Sequence, residues 1–332
     1  MVTEKIIENK FKEFTITDGD LSVNVLEYGA TIHNIFFKGI DCIAGYDDPM
    51  HYLEGGSFQG ATVGRYANRI GGGSFAIGEN TYTLDINDHD YNCLHGGNTS
   101  FAKQILKGEI ISDNSVKFSH FSKDGESGFP GNVEFAVTFT VADNTLSLEY
   151  EAVSDKDTVL NFTNHAYFTL GADTNKEIVL EIKADKMVPV DKNLVPTGEL
   201  SDVAGTAFDF RTPKKIGKDL FDQNPLIVEA KGYDHCFVLG DTAEYRENVA
   251  VATNPENGIT MKCHTDLPGI QLYTANWTNE KNGKGGKGLY EYLAFCLETE
   301  LFPDTPNRPE FPSALVKAGE KYTTVTKYKF EA

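Results

Sequence analysis

Three side chains in this sequence are suited to proton transfer: two histidines and one glutamate. His165 lies in a polar run between apolar strand-like segments, His95 precedes two glycines, and Glu298 lies within an apolar run. A free imidazole titrates at about 6.5 and a free glutamate at about 4.3, so modest shifts from burial and neighbours allow proton exchange near neutral pH. These residue types predict acid–base chemistry that needs no metal.

Each histidine also has a structural interpretation, because a lone histidine between strands more often satisfies its neighbours than catalyses a reaction. His165 is surrounded by more hydrogen-bonding groups than a buried strand needs for its own satisfaction, namely Asn161, Thr163, Asn164 and Tyr167. The glycines after His95 allow backbone or ligand to approach closely. The context therefore favours a functional role for both.

The charged candidates have alternatives as well. An ionised Glu298 in an apolar strand would be costly without partners, and an ion pair with Arg69 is its structural explanation. Arg69 could be a surface residue, although two arginines beside glycine in an acidic chain indicate a lined cleft. Asp234 precedes an apolar strand, where a turn aspartate is typical, or it accepts hydrogen bonds from a hydroxylated ligand. From its position alone, the turn interpretation of Asp234 is favoured.

Other chemistries lack their motifs. No histidine pair has metal-ligand spacing, no cysteines form a C-x-x-C pair, and no Gly-x-Ser-x-Gly elbow is present. The acidic cluster around Asp88 lacks calcium-loop spacing and predicts a solvated turn. The glycine and lysine run 281–288 lacks the ending of a phosphate loop and predicts a mobile surface loop. We therefore expect no catalytic metal, and general acid–base chemistry remains.

Composition limits the partners. The net charge of -19 would repel nucleic acid and anionic membrane surfaces, so a neutral or cationic ligand is expected. The favoured explanation of the charge itself is that an acidic surface keeps the protein soluble. Five scattered cysteines, the lack of an apolar leader and the lack of a membrane-length apolar run predict a reduced, cytoplasmic protein.

Strand-like alternation recurs along the chain. Apolar residues alternate with polar ones over 133–141 and again over 146–152, and Asp143 and Asn144 between them predict a hairpin turn. A similar pair flanks 78–80, and no stretch has a long apolar period of 3.6 residues. The pattern predicts an all-β chain, a large antiparallel β-sandwich, as a single domain over 1–332.

Five motifs in order resemble the aldose 1-epimerase, or galactose mutarotase, family. They are 64–70 (GRYANRI), 94–97 (LHGG), 161–168 (NFTNHAYF), 232–235 (GYDH) and 296–299 (CLET), with 302–304 (FPD) and 311–313 (FPS) following. Any one of them is weak, but together they cover nearly the whole chain. The chain departs from the family pattern at Thr169 and Cys236, which bears on sugar preference more than on reaction type.

The resemblance implies a sandwich of galactose-mutarotase type that interconverts the α and β anomers of hexoses such as galactose and glucose. It implies that His165 is the general acid and Glu298 the general base, and that Arg69, His95 and Asp234 bind sugar hydroxyls. A hexose-phosphate 1-epimerase, a glycoside hydrolase that uses Glu298 and Asp234, and a non-catalytic sugar-binding sandwich remain alternatives. Three questions stay open: the preferred sugar, the choice between monomer and homodimer, and which of Trp277, Tyr273 and Phe75 stacks on the sugar ring.

Overall fold

A computed structural model describes residues 1–332, and short strands account for most of its regular structure. In chain order the strands are β1 (Val2–Ile7), β2 (Phe11–Asp18), β3 (Leu21–Leu26), β4 (Thr31–Phe37), β5 (Ile40–Asp41), β6 (Thr62–Val63), β7 (Arg69–Ile70), β8 (Ser74–Ile77), β9 (Asn80–Thr83), β10 (Cys93–Leu94), β11 (Lys107–Ser112), β12 (Ser115–Ser122), β13 (Val133–Ala142), β14 (Thr145–Ser154), β15 (Thr158–Val159), β16 (Thr163–Asn164), β17 (Val179–Ile182), β18 (Lys186–Met187), β19 (Ser201–Asp202), β20 (Lys214–Lys215), β21 (Asp234–Val238), β22 (Arg246–Thr253), β23 (Thr260–Thr265), β24 (Gly269–Tyr273), β25 (Cys296–Glu300), β26 (Leu315–Val316) and β27 (Lys321–Glu331).

Helices are few and short. The α-helix α1 spans Pro225–Ala230, and single 3₁₀ turns occupy Pro49–Leu53, Gly71–Gly73, Phe101–Lys103, Glu126–Gly128, Asn175–Glu177, Ile216–Lys218, Lys284–Gly286 and Thr305–Asn307. No helix has the length and apolar character needed to cross a bilayer.

Three sheets carry most of the strands. The first has the order β1-β2-β3-β4-β5, the second β11-β12-β13-β14-β27-β23-β22-β17-β20, and the third β19-β18-β21-β24-β25. The remaining strands form two-stranded pairs, and every paired strand runs antiparallel to its neighbour. The predicted all-β antiparallel architecture is confirmed.

The first and second sheets pack face to face. Phe14 on β2 meets Phe118 on β12 edge to face with ring centroids 5.5 Å apart, and Phe37 on β4 lies 5.8 Å from Phe330 on β27. These rings belong to a core of 56 buried residues that also takes in the third sheet through Leu297. Aromatic pairs of this kind contribute about 0.5–1.5 kcal/mol each beyond the area that they bury.

The apolar residues that alternate along the predicted hairpin are buried, and most of the polar residues between them are partly or fully exposed. β13 and β14 pair in register from Val133 opposite Ser154 to Ala142 opposite Thr145. Asp143 and Asn144 form the turn with φ of 50° and 56°, the left-handed backbone that a two-residue hairpin requires and that these residue types tolerate. The prediction of this hairpin is confirmed.

The third sheet carries polar groups on one face, because successive side chains of a strand point to opposite sides. Leu297 points to the core, whereas Cys296, Glu298 and Glu300 on β25 share the other face. Glu298 lies opposite Gln271 on β24, and Tyr273 on β24 lies opposite both Cys296 and Asp234 of β21. Strand period and register therefore gather chemically active side chains on one face.

Candidate active site

A cleft with a volume of about 290 Å³ lies against this polar face, and all five of the predicted site residues line it: Arg69, His95, His165, Asp234 and Glu298. A larger depression of about 610 Å³ lies on the nine-stranded sheet. There Lys117 and Lys321 pair with Glu151, so its charges largely satisfy one another. The smaller cleft, which contains all five predicted residues, is therefore the candidate active site.

His165 and Glu298 face each other across the cleft. His165 follows β16, and its backbone bonds to Ala61 and Gly60 fix its position. Its Nε2 lies 3.6 Å from Oε1 of Glu298, while its Nδ1 lies 3.4 Å from the Cys296 thiol sulfur. The two side chains are 7% and 3% exposed, so a molecule bound in the cleft is the further partner that they can reach.

Burial favours the neutral form of both groups. Burial lowers the pKa of His165 to about 4, although hydrogen bonding to its own backbone and the charge of Asp234 oppose the shift. Burial also raises the pKa of Glu298 well above its ordinary value, and the carboxylates of Glu300 and Asp234 add to this while Arg69 opposes it. In the free cleft, burial therefore favours a neutral imidazole on His165 beside a protonated carboxyl on Glu298.

Asn68, which belongs to the motif at 64–70, fixes the position of His95. β7 and β10 pair so that Leu94 lies opposite Arg69, which brings His95 to the residues around Arg69. The backbone N–H of Asn68 donates to Nδ1 of His95 at 3.1 Å. Burial lowers the pKa of His95 well below its ordinary value, so the ring is neutral and its single proton is on Nε2. His95 is therefore a preset donor for an oxygen in the cleft.

Arg69 bridges two carboxylates. Its Nε lies 2.9 Å from Oδ2 of Asp88, and its Nη1 lies 3.5 Å from Oδ2 of Asp234. Burial alone would lower the pKa of Arg69, but Asp234 and Asp88 raise it above its ordinary value, so the guanidinium stays charged. The proposed structural pair of Arg69 with Glu298 is absent, since no ion pair joins them within 4.0 Å and Arg69 is committed to two aspartates.

Asp234 is a cleft residue as well as the first residue of β21. Its Oδ1 accepts a hydrogen bond of 2.7 Å from the side-chain amide of Gln271. Asp88 also lines the cleft, because an ion pair with Arg69 draws its side chain inward. The residues after it form the predicted turn, in which His89 and Asp90 are exposed.

Aromatic rings form the walls. Tyr167 stacks on His165 with centroids 5.1 Å apart, and Phe58 lies 4.8 Å from the His95 ring. Tyr273 and Trp277 line the cleft, and Trp277 is 49% exposed at its edge. Phe75, the third candidate for sugar stacking, packs in a separate hydrophobic cluster outside the cleft.

Two polar neighbours of His165 serve the backbone. Asn161 donates to the carbonyl of Ala67 and accepts from the N–H of Leu301, and Asn164 donates to the carbonyl of Gly60. Both asparagines therefore satisfy the hydrogen bonds of neighbouring backbone groups, whereas Tyr167 lines the cleft.

The second arginine of the first motif lies elsewhere. Arg65 is buried and donates to Ser122 and to the carbonyls of Lys123 and Pro130. It does not line the cleft, so Arg69 is the only arginine there.

His95, His165 and Glu298 place one ligand-type atom each within 4.8 Å of one another, which is close enough for a metal ion. A metal-binding histidine normally donates its other N–H to an acceptor. Nδ1 of His95 instead accepts from the Asn68 N–H, so the proton occupies Nε2, where a metal would need a lone pair. The donor set fits a hydroxylated ligand better than a metal, in line with the expectation of no metal.

Several residues in or behind the cleft escaped prediction from the sequence. Phe58 and Asn68 line the cleft, and Phe58 lies in an irregular loop without a recognisable pattern. Gln271 and Glu300 lie behind the lining and act through hydrogen bonds to Asp234 and Asn68, which are distant in the chain. Strand alternation offered one clue, since Glu300 has the same parity as Glu298.

Comparisons with known proteins agree over nearly the full length. The family model described as aldose 1-epimerase matches residues 12–329. Galactose mutarotase from Bos taurus is 37% identical over 328 residues, covering 96% of this chain and 94% of that protein. Aldose 1-epimerase from Escherichia coli (strain K12) is 34% identical, covering 93% and 92%. The solved structure of galactose 1-epimerase from Lactobacillus acidophilus NCFM is 30% identical with a TM-score of 0.87, covering 100% of this chain and 98% of that one.

Proposed function

The chain belongs to the aldose 1-epimerase family and is an enzyme of that type, and from this premise we propose that Glu298 and His165 interconvert the α and β anomers of galactose and glucose in the cleft. The observation that carries the residue roles is the 3.6 Å approach of His165 Nε2 to Glu298 Oε1, with both side chains buried in the cleft wall. A carboxyl and an imidazole in this arrangement can act on two oxygens of one sugar.

The reaction needs two proton transfers and no cofactor. Glu298 takes the proton of the C1 hydroxyl while His165 gives a proton to the ring oxygen, so the C1–O5 bond breaks and an aldehyde forms. Rotation about C1–C2 presents the other carbonyl face. Glu298 then returns its proton to the carbonyl oxygen, O5 attacks C1 and loses its proton to His165, and the opposite anomer results.

The proton count of the pair suits this cycle. A protonated Glu298 with a neutral His165 contains as many protons as a carboxylate with an imidazolium, so moving one proton between Oε1 and Nε2 creates the base and the acid without exchange with solvent. Burial favours the neutral arrangement, and the negative charge that develops on the sugar oxygens favours the imidazolium. We infer that sugar binding draws the proton to His165.

The remaining cleft groups match a neutral polyhydroxylated ligand. His95 offers Nε2–H as a donor, Asp234 offers acceptor oxygens, and the Arg69 guanidinium offers further N–H groups. Tyr273 and Trp277 are the aromatic rings available to a sugar face. Because Arg69 is already bound to two carboxylates, the cleft has no free cation for a phosphate, which disfavours the hexose-phosphate alternative.

A polarimetric assay of freshly dissolved α-galactose and α-glucose tests the proposal. We expect Glu298→Gln and His165→Asn each to lower the enzymatic rate by at least about 10²-fold, the usual scale of acid–base loss. Glu181→Gln on β17 and His120→Asn on β12 are matched controls outside the cleft and should retain the wild-type rate.

Measurements with other substrates and by calorimetry separate the alternatives. Faster turnover of glucose 6-phosphate than of galactose would favour a phosphate substrate, and release of sugar from a glycoside would favour hydrolysis. Calorimetric binding of galactose without mutarotation would identify a non-catalytic sugar-binding protein. Near-wild-type rates in both cleft variants would overturn the roles of Glu298 and His165.

We also propose that the protein works in the cytoplasm as a single domain over 1–332. All five cysteines are buried and free, which suits a reducing compartment. The 56-residue core includes residues from Phe14 to Phe330 and joins all three sheets, which supports one folding unit. The acidic net charge of -19 supports the absence of a nucleic acid partner.

A further inference from the structure

A second buried carboxyl, Glu300, lies on the same face of β25 as Glu298 and has no role in the proton transfers described above. It is fully buried, and its one hydrogen bond is from the side-chain amide of Asn68 to Oε1, at 2.9 Å. Its Oε2 is buried without any partner. A buried carboxyl with so little support requires an explanation.

Asn68 links Glu300 to the cleft. Its backbone N–H donates to Nδ1 of His95, and its carbonyl accepts from the N–H of His95, both at 3.1 Å. Its side-chain Oδ1 accepts from the N–H of Arg69 at 2.8 Å. The backbone of Asn68 is left-handed, with φ of 64°, which asparagine tolerates. The bond from Asn68 to Glu300 holds this side chain from across the fold.

We propose that Glu300 is a positioning residue for the sugar site: its hydrogen bond fixes the Asn68 turn, and the Asn68 N–H fixes His95 as an Nε2–H donor to the sugar. The link to sugar binding rests on the proposed function, whereas the link from Glu300 to the His95 tautomer does not. Glu300 itself lies behind the residues that line the cleft and does not need to touch the substrate.

Burial favours the neutral form of Glu300 in this role. Burial raises its pKa well above the ordinary value and Asp234 adds to the shift, while the Asn68 bond and Arg69 oppose it. The titratable and charged groups around it are Glu298 on its own strand and, from other segments, Asp234, Cys236, Arg69 and Tyr66. Because a neutral Glu300 does not repel a charge on Glu298, the negative charge can form on Glu298, the one of these two carboxyls that lines the cleft. An amide at position 300 should therefore replace the acid.

Three variants separate this role from a structural one. Glu300→Gln keeps the acceptor for Asn68 without a titratable group, and Glu300→Leu removes the acceptor in a side chain of similar size. Asn68→Gly removes the amide while keeping the left-handed backbone, which glycine adopts without strain. Each is compared with wild type by ¹⁵N NMR of the histidine side chains in the sugar-free protein and by saturation kinetics with galactose.

We expect Glu300→Gln to preserve the His95 Nε2–H signal and to keep kcat/KM within about 3-fold of wild type, because it retains the hydrogen bond. Glu300→Leu and Asn68→Gly should mix the His95 tautomers and raise KM about 10-fold with a smaller change in kcat, because a sugar-binding donor acts on ground and transition states alike.

Two results would overturn the inference. One is a wild-type His95 spectrum in both Glu300→Leu and Asn68→Gly, and the other is a loss in Glu300→Gln as large as in Glu300→Leu. If Glu300→Leu does not fold, Asn68→Gly and Glu300→Gln decide the question between them. Absence of mutarotation in the wild-type protein would instead overturn the proposed function, and the spectrum of the sugar-free protein would still decide the role of Glu300.

Discussion

Replacement of Glu298 by glutamine should abolish most of the activity and yet stabilise the fold at neutral pH. Glu298 is 2% exposed, its Oε2 has no hydrogen-bond partner, and Glu300 lies on the same face of its strand. Glutamine has the same shape but cannot ionise. It removes the proposed base and, in the same step, removes a group that burial penalises whenever it is charged.

The magnitude follows from proton linkage. An unfolded glutamate titrates at about 4.3, whereas burial raises the pKa of Glu298 well above its ordinary value in the folded protein. The stability that such a carboxyl contributes is complete below the unfolded pKa and is lost as pH rises towards the folded pKa, at about 1.4 kcal/mol per pH unit. A glutamine at position 298 does not titrate, so the stability of the variant has no such pH dependence from this position. The variant should match wild type near pH 4 and exceed it by about 1.4 kcal/mol for each further pH unit until Glu298 ionises in the folded state.

Urea unfolding at about pH 4.5, 6 and 7.5 measures this difference, and polarimetry on the same samples measures activity. Glu181→Gln reports the effect of removing a carboxylate from a strand outside the cleft. A Glu298→Gln protein that is less stable than wild type at neutral pH, or a difference that does not change with pH, would refute the reasoning about burial. A near-normal rate would refute the catalytic role.

Three further predictions concern the same cleft. The pH profile of kcat/KM should be bell-shaped. The acid limb should lie at about pH 4, where His165 becomes protonated while Glu298 still holds its proton, and the alkaline limb should lie where Glu298 loses that proton. An acid limb at about 6.5, the pKa of free imidazole, would contradict the effect of burial on the pKa of His165. Cys296→Ala removes the thiol 3.4 Å from His165 Nδ1 and should lower kcat about 2–10-fold, with Cys296→Ser closer to wild type; equal rates in all three proteins would show that the thiol does not orient the ring. Arg69→Lys replaces a fork that reaches Asp88 and Asp234 by a single point charge, so saturation kinetics should show KM raised by about 10-fold or more with a smaller change in kcat, and a fall in kcat alone would contradict a binding role.

Much of the fold was predictable from local pattern. The alternation of Val133–Ala142 and Thr145–Ser154 and the turn residues between them specify a hairpin without reference to the rest of the chain. The order in which nine strands assemble was not predictable, because β27 inserts between β14 and β23 from the far end of the sequence. Such pairings depend on contacts between strands that no local window contains.

The run of lysines and glycines over 281–288 also makes contacts that its local sequence does not predict. Composition predicts a mobile loop, yet Lys284 is only 16% exposed and lies 2.6 Å from Asp41, while the N–H of Gly285 donates to Asp47. Residue types in this segment indicated flexibility, and two acidic residues some 240 positions earlier anchor it.

The sequence by itself determined the chemistry available to this protein: one histidine and one glutamate for proton transfer, with Arg69, His95 and Asp234 as candidate sugar ligands. Strand period 2 also determined that Glu298 and Glu300 share a face. The tertiary structure decided which nitrogen of His95 carries its proton, which partners Arg69 has, and that Glu298 and His165 approach within 3.6 Å of each other. These properties depend on burial and on hydrogen bonds such as that from Asn68 to Glu300, 232 residues apart, and only a folded chain brings such groups together.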